Sequence, residues 1–77
     1  MESKKLNTLF DEFTKKMNQR LVRKERAGFT GWDDQKEYSD EELRQRIITK
    51  LMSIPQDKTD IVDIANYAMF LYERKKQ

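Results

Sequence analysis

Asp60 and Asp63 stand three residues apart in the run Asp60-Ile61-Val62-Asp63-Ile64-Ala65-Asn66-Tyr67-Ala68-Met69-Phe70-Leu71. On a helix that spacing places both carboxylates on one face, a turn apart. Two such acids supply the hard oxygen ligands that magnesium prefers, although the ion asks for several oxygens in near-octahedral geometry. They also suit a structural role, since carboxylates in the first turns of a helix favour the positive end of its dipole and compete for capping bonds. Asn66 lies one turn further on amid apolar neighbours, so its amide requires a partner across an interface or on a ligand. Lys50 adds a positive charge from the preceding segment. These four residues form the candidate metal or phosphate site. A second group is basic: Lys15 to Arg26 carries six cations and one acid. Lys16, Arg20, Arg23 and Lys24, with Trp32 or Phe29 to stack on a base, form a candidate nucleic-acid or partner face. The plainer reading is a solvated helix end whose cations complement the dipole and pair with the acidic stretch Asp33 to Glu42.

Composition narrows the chemistry. With no His and no Cys in 77 residues, imidazole bases, imidazole or thiolate metal sites, Cys nucleophiles and disulfide scaffolds are all excluded. Only carboxylates, hydroxyls and Lys remain. Sixteen Lys and Arg against fourteen Asp and Glu leave a net charge of +2, far from the field of a protein that binds duplex DNA by charge alone. The longest apolar run, Ala68 to Tyr72, is five residues, too short for a membrane span. The Met1-Glu2-Ser3-Lys4-Lys5 start lacks the apolar stretch of a signal peptide. No membrane role and a cytoplasmic location are therefore expected.

Three helices must position these residues. Two Gly and one Pro are too few for the turns of a many-stranded sheet protein, and the composition favours helix formers, so the class is all-α. Leu6, Leu9, Phe10, Phe13, Met17 and Leu21 mark one stripe of a first helix over about 3–27, read as core or as a dimer seam. Gly28 supplies its stop, and Gly28-Phe29-Thr30-Gly31-Trp32 reads as a structured turn that folds two aromatics over the core. Ser39 and Glu42 form a capping box for a second helix over about 39–54, closed by Pro55. Asp57 or Thr59 caps a third over about 57–75. Its apolar residues Ile61, Ile64, Ala65, Ala68, Leu71 and Tyr72, with a second edge at Val62, Met69 and Phe70, span an arc wide enough for both neighbours or a second subunit. The whole chain, 1–77, reads as a single helical domain.

The Gly28 to Trp32 turn together with the Asp60 to Leu71 run resembles the MazG-like all-α nucleotide pyrophosphohydrolase superfamily, in its small phage and prophage members. There a Gly-Gly-Trp-like turn leads to a helix bearing ExxE and then to one bearing ExxD with an Ala-Asn-Phe/Tyr-Ala stretch. The likeness covers roughly residues 28 to 75. It implies four acids on two helices that hold magnesium and activate water for cleavage between the α and β phosphates of a nucleotide. Asp60 and Asp63 match the ExxD positions, with Asp for Glu at the first. On the second helix Thr49, Lys50 and Ser53 stand where the other acids belong, so the resemblance implies that Lys50 puts a positive charge where the family puts a cation, to neutralise Asp60 or Asp63 or to meet a phosphate without metal.

The expected function is a small non-catalytic interaction or regulatory protein of phage or prophage type, with no catalytic residue and no cofactor. It binds a host protein or a nucleotide, and it self-associates because a 77-residue three-helix chain without staples gains from a second copy. One alternative is an active pyrophosphohydrolase using magnesium, its site completed between subunits by Glu12, Asp11, Glu41 or Glu42. Another is a nucleic-acid binder using the basic end of helix one.

Overall fold

The computed structural model describes residues 3–34 and 36–76; residues 1, 2, 35 and 77 of the expected single domain lie outside it. It is an all-α arrangement of α1 (Lys4–Arg26), α2 (Asp40–Leu51) and α3 (Lys58–Lys75). Ser3 caps α1 by accepting from the Leu6 amide, and the helix ends on the basic turn Arg23, Lys24 and Arg26. The following turn passes through Gly28 at φ 96° and Gly31 at φ 85°, where a side chain would be strained. At Gly31 a Cβ would also stand 3.0 Å from the Glu37 side chain.

α2 begins at Ser39, whose hydroxyl accepts from the Glu42 amide. The complete reciprocal box is found instead at α3, where Asp57 accepts from the Asp60 amide and Asp60 accepts from the Asp57 amide. α2 also stops at Leu51, three residues short of the expected Ile54. Gln56 donates its side-chain amide to the freed Lys50 carbonyl, so the connection is satisfied without another helical turn.

α3 is the central helix. Both others pack against it, while the α1 and α2 backbones do not approach each other among the described residues. Leu43 of α2 and Tyr67 and Phe70 of α3 form the buried centre, with Leu21, Phe29, Trp32, Tyr38, Ile47 and Leu71 packed around it. Trp32 stacks on Phe70 with ring centroids 4.5 Å apart, and Phe29 lies between Tyr38 and Tyr67. The two aromatics of the turn therefore cap the core as expected.

Two expectations change. The buried face of α3 is Val62, Asp63, Asn66, Tyr67, Phe70 and Arg74, whereas Ile61 and Tyr72 are exposed. The expected arc is turned because the polar members of the buried face have fixed partners in α1, α2 and the turn, which offset their desolvation. The stripe of α1 meets the core only toward its C-terminal end: no α1 residue is fully buried, Leu21 packs against the core, and Leu6, Leu9 and Phe10 are each more than half exposed. Met17 and Leu21 sit on the part of α1 that crosses α3, and the helix continues past that crossing toward its N-terminus. The radius of gyration, 13.6 Å, accordingly exceeds the value of about 11.5 Å for a compact chain of this length. Among the described residues no helix is long and apolar enough to cross a membrane.

Candidate functional site

The chemistry gathers around Asp63, at the second turn of α3, fully buried among the three helices. From α1, Arg20 engages it with both prongs: Nε donates to Oδ1 at 2.9 Å and Nη2 to Oδ2 at 3.3 Å. Lys24, one turn on, brings its ammonium to 3.4 Å from Oδ1 and donates to the Tyr67 hydroxyl at 2.8 Å. That ammonium also lies over the Tyr67 and Phe29 rings, so its charge faces both a carboxylate and two π faces. From α2, Lys50 places its ammonium 3.3 Å from Asp63 Oδ2 and 3.4 Å from Asp60 Oδ1. The α-helical spacings explain the convergence: Arg20 and Lys24 are four apart on one face of α1, and Asp60, Asp63 and Tyr67 follow at three and four on α3.

Burial by itself pushes the Asp63 carboxyl up. The Arg20 hydrogen bonds and the charges of Lys24, Arg20 and Lys50 outweigh it, and the group is held below its ordinary value. Lys50 shows the matching balance: burial lowers its affinity for a proton, but Asp63 and Asp60 raise it further, and the ammonium is stabilised. The Asp63 hydrogen bond likewise raises Arg20. The cluster sets three cationic side chains against two carboxylates.

The donor set does not fit a magnesium ion. Both oxygens of Asp63 are engaged by cationic donors, Asp60 closes the α3 capping box while facing Lys50, and among the described residues no three carboxylates converge. An octahedral ion needs more oxygens than this and tolerates no ammonium in its shell. Asp63 is thus neither a helix-start acid nor a free ligand but the anion that binds three helices together, while Asp60 does both of the jobs open to it, cap and ion pair.

Asn66 is buried one turn beyond Asp63 and donates Nδ2 to the Met17 carbonyl at 3.3 Å, the bond across an interface that its setting required. Its Oδ1 is buried with no hydrogen-bond partner among the described residues. The basic face, in contrast, is divided. Lys16, Arg20 and Arg23 line a groove of 250 Å³ against Lys58, Thr59 and Val62 at the start of α3. Lys24 turns inward to Tyr67, and Trp32 is in the core on Phe70. Arg20 and Lys24 pair with Asp63 and not with the Asp33 to Glu42 stretch, because their helix crosses α3 at that carboxylate.

Two residues of consequence went unread in the sequence. Tyr67 joins the core, the Lys24 hydrogen bond and the wall of a 430 Å³ groove that also contains Arg46, Thr49 and Lys50. Arg74, near the end of α3, is buried; it donates to Asp40 Oδ1 at 3.0 Å and to the Trp32 carbonyl, tying the end of α3 to the start of α2 and to the turn. Its signal in the sequence was only its place, four residues beyond Phe70 on the buried face. Glu41 and Glu42 stand on the lip of the Lys50 groove, and Glu41 pairs with Arg44. In comparisons with family models, curated proteins and solved structures, nothing matches this chain.

Proposed function

We propose that this chain is a small, self-associating, non-catalytic interaction protein, built on a MazG-like hairpin of phage or prophage type, that acts by binding a protein partner. One observation carries the reading: the Lys50 ammonium lies within 3.4 Å of both Asp60 and Asp63, the place where the resemblance calls for a metal cation. An internal ammonium cannot polarise a phosphate or activate a water as a divalent ion does, but it holds two helices in register without any cofactor. A nucleotide is the other ligand class compatible with the reading, in the groove where Lys50 and Arg46 would meet its phosphates. An enzyme would need acids from a second subunit, with Asp11, Glu12, Glu41 and Glu42 as sources.

Magnesium-dependent release of pyrophosphate from the common nucleoside triphosphates tests the reading. The expected result is none, with no rise in melting temperature on adding magnesium, since ligand linkage stabilises only a protein that binds. Steady turnover abolished by Asp63→Asn would overturn it in favour of the hydrolase.

A second reading is supported by the 250 Å³ groove, whose cations Lys16, Arg23 and Lys58 have no side-chain partner among the described residues. Their charges fit a nucleic-acid backbone. With no aromatic residue in that groove, binding would rest on charge alone and fall steeply with salt.

A further inference from the structure

Two features of the described surface complement each other. The first is the N-terminal half of α1, where Leu6, Leu9 and Phe10 are 52%, 56% and 53% exposed on one face, with Lys4 and Lys5 at its start. The second is a groove of 440 Å³ between the C-terminal half of α1, the Gly and Trp turn and α3. Leu21, Val22, Trp32 and Met69 give its lining an apolar part, and Glu25 and Asp33 line it as well. Lys4, Lys5, Glu25 and Asp33 have no side-chain partner among the described residues. The stripe cannot enter the groove of its own chain: Leu9 and Val22 belong to one continuous helix and stay about 20 Å apart along it.

The surface area argues for the same missing contact. The accessible surface is 6256 Å², about 1,200 Å² more than the roughly 5,000 Å² of a compact monomer of this mass. A standard stable interface removes about 800 Å² from each partner. The excess, about half again that figure, is large enough to accommodate one such interface.

We propose that the N-terminal half of α1 docks in the groove of a second copy of this chain, and that the exchange is reciprocal about a two-fold axis. Leu6, Leu9 and Phe10 cover Leu21, Val22, Trp32 and Met69, and Lys4 and Lys5 meet Glu25 and Asp33. Reciprocity uses both unpartnered surfaces of both copies, so the assembly closes at two instead of growing into a fibre. The inference rests on the self-association in the proposed function and specifies where it occurs.

Sedimentation equilibrium at tens of micromolar should give twice the chain mass of 9.4 kDa. The double variant Leu9→Ser, Phe10→Ser should sediment as a monomer, with association weakened at least about a hundredfold and helical circular dichroism retained, because these side chains are more than half exposed in their own chain. The double variant Met52→Ser, Ile54→Ser, at two more strongly exposed apolar side chains, should remain dimeric. Because the chain has no cysteine, Phe10→Cys mixed with Met69→Cys should form a disulfide between chains under mild oxidation, while Phe10→Cys mixed with Ile54→Cys should not. A dimer that survives Leu9→Ser, Phe10→Ser, or that is broken by Met52→Ser, Ile54→Ser, overturns this interface and leaves self-association standing. A monomer at every concentration overturns both.

Discussion

At the scale of single residues, the molecule turns on the ionisation of Asp63. A buried carboxylate is costly unless its charge is matched and its oxygens are hydrogen-bonded, and here Arg20, Lys24 and Lys50 do both. Removing it by Asp63→Ala leaves three cations facing one another across the helix junction. We expect a loss of about 3 kcal/mol, from the range for breaking a buried pair, measured by urea unfolding. Lys50→Met should cost less, since Arg20 and Lys24 still serve the carboxylate. The pH dependence has a definite sign. Because the Asp63 carboxyl is held below its ordinary value, the stability it lends is complete above an unfolded value of about 4 and is lost as pH falls through the lower folded value. Lys50, raised in the fold, gives its share below an unfolded value of about 10.4 and loses it as pH rises through the folded value. Asp63→Ala should therefore flatten the acid limb of a stability profile; an unchanged acid limb would show that another carboxylate sets it.

At the scale of the element, the caps are unequal. The Ser39 hydroxyl gives α2 one bond, whereas Asp57 and Asp60 satisfy two amides at the start of α3. Ser39→Ala should cost about 1 kcal/mol. Asp57→Ala should cost more, toward about 2 kcal/mol, because α3 carries the buried face on which both other helices pack; melting temperatures of the two variants compare them directly. Equal shifts would mean that the second bond of the box contributes little. Arg74 acts at this scale too, since through Asp40 and the Trp32 carbonyl one side chain at the end of α3 fixes the start of α2 and the turn that carries the stacked indole.

At the scale of the whole molecule, a chain with 39% charged residues and a buried apolar centre of Leu43, Val62, Tyr67 and Phe70 has little apolar burial to set against the entropy of ordering its backbone. The proposed association would supply more. If the docked dimer is the stable species, the melting temperature should rise with protein concentration, because binding to the folded state alone shifts the equilibrium by mass action. Calorimetry across a hundredfold concentration range measures this, and a constant midpoint would mark the monomer as stable by itself.

Much of this was legible in the sequence because it is local. The periodic spacing of Leu6 to Leu21, Gly28 after a charged turn, Ser39 before Asp40, Glu41 and Glu42, and Asp57 or Thr59 ahead of an apolar-periodic run each point to a helix or its end through groups a few residues apart. The absence of His and Cys fixed the available chemistry outright, while the resemblance placed Lys50 opposite Asp60 and Asp63 and left open whether it met them or a phosphate; the structure pairs it with both acids. What the sequence could not assign was which face of α3 turns inward. Hydropathy favoured Ile61 and Tyr72, but the choice went to Asp63, Asn66 and Arg74, whose partners lie 43, 49 and 34 residues away along the chain. The same long-range pairing split the basic run, sending Arg20 and Lys24 into the junction and leaving Lys16 and Arg23 outside. Helix formation is decided by neighbours in sequence, whereas the burial of a charge is decided by whether the fold brings its counter-charge, and only the tertiary structure holds that information.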